Sequence, residues 1–310
     1  MKKNKIHARK VVLALGREGS GAPRWPEFAT FDPVNRGNNV FHSTDDVDFT
    51  TLAAKRVGIL GVGSSAFDNA GEALEAGAAT VTMFARRPIL PQENKSKWTA
   101  FAGFQHGFAS LDDAQRWRFY TYIFSEQVPP PYESVLRCEQ HKGFALRFSE
   151  GWEDISQGKE KIVVTTSTHT HAFDAVIVCT GFDVNLVDRP EIASFRAAIE
   201  TWGAHAPAGE AAKFPEAARF PYLGDAFQLQ GSAPGLGRVH LFNWGATMSH
   251  GALAGDIPGL DLGAQRLAQG VARDLFLADA DFHWRRLLAH NEDELKPTGY
   301  FVSLSSRRPA

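Results

Sequence analysis

The residues with the clearest chemical potential lie in the turn Gly61–Ala66, which matches the pattern G-x-G-x-x-G/A. In this pattern the first glycine allows a tight turn, the second lets a phosphate approach the backbone, and a small third residue lets helix and strand pack closely. The N-terminus of the following helix offers unbonded N–H groups and the positive end of a dipole. We predict that the pyrophosphate of a dinucleotide is bound by Gly61, Gly63, Ser64, Ser65 and Ala66. A tight turn in an ordinary α/β sheet is the alternative.

A pair of arginines follows at the place where such a site selects its cofactor. An NAD-preferring site usually has an acidic residue there, which binds the ribose 2′-hydroxyl, whereas this chain has Arg86 and Arg87. A guanidinium group suits the additional phosphate of NADP. We therefore predict that the cofactor is NADP(H). The alternative is a solvated basic pair at the end of a strand.

The elements that must position these residues are a strand, a helix and a second strand. The run Val57–Leu60 is apolar, 68–78 is rich in Ala, Glu and Leu and ends near Gly77, and Thr80–Phe84 has a β-branched bias. Further strands are predicted over 8–16, 144–148, 161–166, 174–179 and 238–242, with 144–148 and 161–166 as a hairpin around a polar segment.

An aromatic stripe marks a predicted helix that begins near Leu111. Trp117, Tyr120, Ile123 and Phe124 recur at helical spacing, which favours core packing over a cofactor site. Amphipathic helices are also predicted over 262–276 and 282–290.

The composition excludes several classes of protein. The 310 residues carry a net charge of −2, which gives no sign of a nucleic-acid partner. No stretch approaches the roughly 20 apolar residues of a membrane span. Two cysteines are too few for a disulfide framework and fit a reducing cytosol, so we expect a cytoplasmic protein.

One close pair of histidines has the residue type of a metal site. His169 and His171 would share a face of a strand. Because no third ligand is near in sequence, a surface strand is the simpler interpretation, and no metal site is predicted.

Four motifs together resemble a known family, the class B flavin-dependent monooxygenases. This group includes flavin-containing, Baeyer–Villiger and N-hydroxylating ornithine/lysine monooxygenases. The segment 8–16 resembles the strand that closes the first FAD segment, with Leu15 in place of its usual Thr, and 61–77 resembles the NADPH turn. The segment 174–183 resembles the strand that returns the chain to the FAD domain. The segment 240–257 resembles the closing FAD motif in its N-hydroxylating form.

The resemblance implies an α/β fold of the flavoprotein type with two dinucleotide-binding domains. It has a Rossmann-like NADP-binding domain, with a central parallel sheet and a small β-meander, and a partial FAD-binding domain. The expected divisions are a residual FAD-domain strand with a linker over 1–40, the NADP-binding domain over 41–182 with a helical insertion at about 98–132, and a C-terminal FAD-domain segment over 183–310.

The chain departs from the family at its start. Family members begin with their own G-x-G-x-x-G for the FAD pyrophosphate, and this sequence has none before Gly61. We therefore expect the N-terminal half of the FAD domain to be missing, and a separate chain that carries this half is one expected partner. A homo-oligomer is a second possibility.

The resemblance also implies the reaction and its residues. NADPH reduces FAD, and the reduced flavin uses O2 to deliver one oxygen atom to a small-molecule substrate. Asn243 and His250 are the expected catalytic residues beside the flavin. The further cofactor contacts are Thr180, Gly181, Thr247 and Gly251. Thr180 could instead belong to a simple turn, and His250 could be a core histidine or a helix cap.

Two other functions are compatible with the sequence. One is an NADPH reductase or oxidase that never oxygenates a substrate, and the other is a non-catalytic remnant that still binds NADP. The substrate pocket is expected from the variable segments 98–132 and 183–235.

Overall fold

The computed structural model describes residues 6–158, 161–292 and 294–295. Its strands are β1 (Val11–Leu13), β2 (Gly21–Pro23), β3 (Val40–His42), β4 (Arg56–Leu60), β5 (Thr80–Phe84), β6 (Phe144–Arg147), β7 (Trp152–Gln157), β8 (Ile162–Thr166), β9 (Thr170–Phe173), β10 (Ala175–Val178), β11 (Phe182–Val184) and β12 (Val239–Leu241). Its α-helices are α1 (Ser64–Glu75), α2 (Lys95–Trp98), α3 (Ala102–Gly107), α4 (Asp113–Glu126), α5 (Tyr132–Glu139), α6 (Glu210–Lys213), α7 (Pro215–Ala218), α8 (Thr247–His250), α9 (Leu260–Ala278) and α10 (Ala280–Ala289).

A five-stranded sheet forms the centre of the first group of elements. Its strand order is β3-β10-β4-β5-β6, and every neighbouring pair is parallel. Strands of a parallel sheet are buried on both faces, which explains why all four residues of β10 are apolar and buried. The α/β fold class and the central parallel sheet are therefore confirmed.

Helix α1 covers one face of this sheet and α5 packs against α1. The apolar side of α1 contributes Phe67 and Leu74 to a core shared with Ile59, Met83 and Ile177. Because α1 follows β4 directly, this packing fixes the direction in which the helix N-terminus points.

The β-meander is present, but the predicted hairpin is wrong. β6 pairs in parallel with β5 inside the central sheet, and β8 instead pairs with β7, from the segment expected to be a polar loop. The register of β7 shifts between Trp152 and Asp154, and this irregularity places Trp152 and Ile155 on the same buried face. Because these two buried residues are three positions apart, the segment lacks the strict alternation of buried and exposed side chains that predicts a strand.

A second group of elements stands beside the central sheet. β1 pairs in parallel with β12, and β2 pairs antiparallel with β11. Their core consists of aliphatic side chains such as Leu223, Leu241 and Leu253, with Phe227 among them. β11 follows β10 closely, so the chain leaves the central sheet at this point.

The aromatic stripe of α4 lies in a core, as predicted. Trp117 and Tyr120 are buried together with Trp202, Phe220 and Met248. The helical insertion therefore packs against the C-terminal segment. The capping box at the start of α4 fixes its first turn, because Asp112 Oδ1 accepts from the Gln115 amide at 2.8 Å.

Among the helices in the described ranges, none combines the length and the apolar character that crossing a bilayer requires.

Candidate functional site

The turn between β4 and α1 uses its two glycines in different ways. Gly61 has a φ of +114°, and a Cβ there would lie 2.5 Å from the carbonyl oxygen of Cys179. Gly63 has ordinary extended backbone, and a Cβ there would meet no atom within 4 Å. The first glycine is thus required by the protein itself, whereas the second leaves space that a ligand can enter.

The N-terminus of α1 is suited to an anion. Gly63 is the N-cap residue and supplies no side-chain hydrogen bond to the first turn, while Ser64 and Ser65 are exposed. The first amides of a helix have no partner within the helix, so these amides can donate to a phosphate. Ala66 is fully buried against the sheet, where a larger third residue would hold the helix away.

The two arginines follow β5 at the same edge of the sheet. Arg86 is exposed, and Arg87 donates to the backbone oxygen of Ser125 at 2.9 Å. Among the described residues neither arginine forms an ion pair with a carboxylate. Both cations therefore keep their charge available for a phosphate group.

A junction joins this turn to the second group of elements. The Thr180 hydroxyl donates to the backbone oxygen of Arg24, and the Arg24 amide donates to the oxygen of Gly181 at 2.8 Å. Gly181 has a φ of +80°, a conformation that glycine adopts without strain. Since Cys179 touches Gly61, the junction is in direct contact with the glycine turn.

The closing segment after β12 is buried. Asn243 Oδ1 accepts from the Gly245 amide at 2.9 Å, but the Asn243 Nδ2 group is buried without a hydrogen-bond partner. Thr247 donates to the Trp244 oxygen at 2.6 Å, and Gly251 has a φ of +69° beside two phenylalanine rings. An unpaired buried donor is costly in a protein unless a ligand accepts from it. Asn243 therefore fits a bound cofactor with acceptor atoms, as the flavin ring has.

His250 is packed in the interior. Its ring stacks on Phe227 with centroids 3.9 Å apart, and Nε2 lies 3.0 Å from the oxygen of Gly224. Burial lowers the pKa of His250 to about 3, so the ring is neutral near pH 7 and Nε2–H donates to the Gly224 carbonyl. Its Nδ1 is buried without a partner. These are the contacts of a core histidine, and a catalytic role stays a prediction.

One residue near the junction was missed from the sequence. The Arg17 guanidinium lies over the rings of Trp244 at 4.9 Å and Phe182 at 5.6 Å. Burial lowers the pKa of Arg17 and raises the pKa of Asp256 nearby. A signal was available in the glycine-rich loop that surrounds Arg17, because glycines on both sides let the backbone turn this cation inward.

A cleft of about 620 Å³ lies between helix α9 and two segments that precede it in the chain. It brings together parts of both segments predicted to form the substrate pocket, Ala109 and Ser110 from one and Asp225 and Ala226 from the other. Helix α9 completes the wall with Arg266, Gln269, Gly270 and Arg273. Most of the aromatic side chains of 98–132 are used in packing instead.

Comparison with known proteins gives one curated relative. No protein-family model matches the sequence. The FAD-dependent urate hydroxylase of Xanthomonas campestris pv. campestris is 35% identical over 296 residues, an alignment that covers 93% of this chain and 62% of that protein. The chain therefore spans about three fifths of the length of this relative.

Solved structures show the same fold at low sequence identity. Ornithine hydroxylase from Pseudomonas aeruginosa has a TM-score of 0.61 at 17% identity, over 86% of this chain and 62% of that one. L-lysine 6-monooxygenase from Pseudomonas syringae has a TM-score of 0.59 at 19% identity, over 86% and 64%. Kutzneria sp. 744 ornithine N-hydroxylase, in a complex with FAD, NADP⁺ and L-ornithine, has a TM-score of 0.60 at 13% identity, over 86% and 64%.

Proposed function

We propose, from the premise that the chain belongs to the class B flavin-dependent monooxygenase family, that it is the NADPH-binding and C-terminal part of an FAD-dependent hydroxylase. The observation that supports this most directly is the junction at Thr180 and Gly181. Cys179, directly before it, contacts Gly61 of the glycine turn, and Arg17 lies over both Phe182, directly after it, and Trp244. Trp244 belongs to the buried segment that contains an unpaired donor, Asn243 Nδ2. This arrangement suits two cofactors that exchange electrons.

The cofactors are NADP(H) and FAD. When both are bound, hydride from NADPH supplies two electrons that reach O2 through the flavin; one oxygen atom enters the substrate and the other leaves as water.

This part of the protein binds and orients the two cofactors. The amides of Ser64 and Ser65 donate to the NADPH pyrophosphate, and Arg86 and Arg87 bind its 2′-phosphate. Asn243 Nδ2 donates to an acceptor atom of the flavin and thereby gains the partner that it lacks within the protein. The neutral His250 keeps the segment closed to water by its packing on Phe227.

Urate is the first substrate to test. The relative at 35% identity is a urate hydroxylase, whereas the amino-acid hydroxylases named above are at most 19% identical to this chain. The cleft along helix α9 has arginine, glutamine and aspartate side chains on its wall. Such side chains can form hydrogen bonds with a polar heterocycle and can balance the charge of an anion.

An FAD-binding half from outside this sequence docks on an apolar face formed by β1, α9 and α10. Val11 and Val12 of β1 are exposed although they belong to a parallel strand pair, and α10 has no buried residue. An ion pair of 2.6 Å joins Lys10, directly before β1, to Asp274 of α9, so the face is continuous. An open strand edge beside exposed apolar helices needs a partner, whether this half precedes the sequence in one protein or comes from another chain.

Docking is tested with three charge substitutions. Val12→Glu and Leu287→Glu, at side chains that are 42% and 63% exposed, should weaken association with the FAD-binding half. Leu136→Glu on α5 is the matched control, because it is 44% exposed outside this face. Equal effects of all three substitutions, measured by analytical ultracentrifugation, would refute the docking face.

The activity is tested with the chain alone and with the chain joined to the part of the Xanthomonas hydroxylase that it does not cover. We expect the joined protein to bind FAD and to consume NADPH and O2 in equal amounts with urate, forming hydroxylated product. Peroxide formation that no substrate suppresses would identify an oxidase. NADPH binding without any flavin would identify a non-catalytic remnant. Both outcomes contradict the hydroxylase.

The two free cysteines agree with a cytoplasmic location.

A further inference from the structure

A cluster of three metal-binding side chains lies outside the cofactor site. Glu150 precedes β7, His169 precedes β9, and His171 lies within β9. One ligand atom from each residue lies within 4.8 Å of the other two. The sequence offered only the two histidines, because Glu150 is about twenty positions away and is brought to them by the antiparallel meander. The structure thus supplies the third ligand whose apparent absence led to the prediction of no metal.

The exposure of the three side chains suits an accessible site. The side chains of Glu150 and His171 are 7% and 15% exposed, so two ligands are fixed in the protein. The His169 side chain is 62% exposed, so the cluster is open to solvent on this side. A metal ion can reach this cluster without local unfolding.

The neighbours of the fixed ligands hold them in place. The Thr166 hydroxyl donates to Glu150 Oε1 at 2.9 Å. The His171 ring packs edge-on against Phe84, with centroids 5.0 Å apart, and stacks with Phe173 at 6.1 Å. Support of this kind restricts the orientation of metal ligands and raises affinity.

Small movements would convert the cluster into a coordination shell. His171 Nε2 is 2.6 Å from Glu150 Oε1, and His169 Nδ1 is 3.6 Å from the same oxygen. Bonds of about 2.0–2.2 Å in a tetrahedral site separate ligand atoms by about 3.3–3.6 Å. Glu150 must therefore move away from His171 by less than about 1 Å, a shift that a carboxylate rotation supplies. His169 must give up its contact with Thr168 Oγ1 at 2.8 Å.

One neighbouring cation opposes metal binding. Arg147 Nη1 lies 3.6 Å from Glu150 Oε2, the oxygen that does not face the histidines. The Arg147 side chain is about half exposed and can turn toward solvent. Its positive charge nevertheless lowers the affinity for a second cation, because like charges at this range repel.

We propose that Glu150, His169 and His171 form a binding site for a divalent transition metal such as Zn²⁺, with water as the fourth ligand. Two imidazoles and one carboxylate are a ligand set typical of this ion, and an open fourth position is common where three protein ligands are present. The site is next to Arg86 and Arg87 in the structure, because the Glu150 amide donates to the oxygen of Ala85, the residue before Arg86, at 2.9 Å. It is independent of the proposed oxygenation.

The site is tested with Co²⁺, which reports its coordination through visible absorption. Untagged protein is freed of metal with a chelator and titrated with Co²⁺, followed by competition with Zn²⁺. We expect one strong binding event per chain, with the intense absorption of a four-coordinate ion. His169→Ala should weaken it at least tenfold without loss of fold, because His169 is exposed, and Glu150→Gln should do the same.

Two further variants make the assignment specific. His283→Ala removes a partly exposed histidine of α10, outside the cluster, and should leave Co²⁺ binding unchanged. Arg147→Gln removes the opposing charge and should tighten binding several-fold. Equal Co²⁺ binding by the parent protein and the His169→Ala and Glu150→Gln variants would overturn the proposal, as would the absence of a strong binding event in the parent protein.

Discussion

Replacing either glycine of the β4–α1 turn by alanine separates folding from cofactor binding. Gly61→Ala places a methyl group 2.5 Å from the carbonyl oxygen of Cys179, at a residue whose φ is +114°. Gly63→Ala places the same group in open space at a φ of −83°. We therefore expect the first substitution to damage the fold and the second to damage only NADPH binding.

The magnitudes follow from these two environments. For Gly61→Ala, a strained φ costs about 1–3 kcal/mol, and displacement of the Cys179 backbone adds to that cost. For Gly63→Ala, the lost conformational freedom of the unfolded chain stabilises the protein by about 0.4–1 kcal/mol. Alanine is a poorer N-cap residue than glycine and offsets this gain, so stability changes little. The added methyl group occupies the approach of the pyrophosphate, and a loss of about 1.4 kcal/mol or more in binding corresponds to at least a tenfold weaker affinity.

Urea unfolding measures the stability of each variant, and calorimetric titration measures NADPH binding. Gly237→Ala is the control, because a Cβ there also meets nothing within 4 Å but lies far along the chain from the turn. Unchanged NADPH affinity in a stable Gly63→Ala variant would show that the pyrophosphate does not approach this backbone.

Three further predictions concern cofactor choice, helix capping and pH. Arg86→Ala and Arg87→Ala should each raise the KM for NADPH about tenfold or more, because each removes a charge-assisted hydrogen bond, with little change for NADH; equal losses in steady-state assays with both cofactors would refute the 2′-phosphate assignment. Asp112→Ala removes the capping box at α4 and should lower the free energy of unfolding by about 1 kcal/mol, measured in urea, whereas Asp112→Asn should retain most of it. Burial lowers the pKa of His250 to about 3 from its ordinary 6.5. The unfolded chain therefore takes up a proton below pH 6.5 that the folded protein does not, and stability falls as pH decreases from 6.5 toward 3. His250→Gln should reduce this dependence of the free energy of unfolding on pH by up to about 1.4 kcal/mol per pH unit. If unfolding measured between pH 5 and 7 gave the same pH dependence for both proteins, the lowered pKa of His250 would be contradicted.

The dinucleotide turn could be predicted because all its determinants are local. The pattern Gly61–Ala66, the apolar strand before it and the helix after it lie within a few turns of chain. The central sheet was predictable for the same reason, since a buried parallel strand such as β10 is apolar at every position. Local patterns thus identified the fold class and the glycine turn at one edge of the central sheet.

The features that were missed depend on contacts between distant residues. Strand β7 was hidden because its irregular register changes the spacing of buried side chains. Glu150 could not be assigned to His169 and His171, because the pairing of β8 with both β7 and β9 brings them together. The interior position of His250 depends on Phe227 and Gly224, which belong to a loop that has no periodic pattern. None of these contacts can be inferred from a short stretch of the sequence.

The aromatic core around α4 also makes the protein a good subject for optical measurements. Trp117 and Trp202 are fully buried with ring centroids 6.5 Å apart, and Trp244 lies 6.2 Å from Phe124. Rings held in fixed orientations give strong near-ultraviolet circular dichroism, which is lost when packing loosens. Trp152, the first residue of β7 in the meander, packs against Phe84 of the central sheet, outside this cluster. Single Trp→Phe replacements therefore separate two spectroscopic signals, one for the helical insertion and one for the dinucleotide-binding sheet, and show whether the two parts lose their packing together.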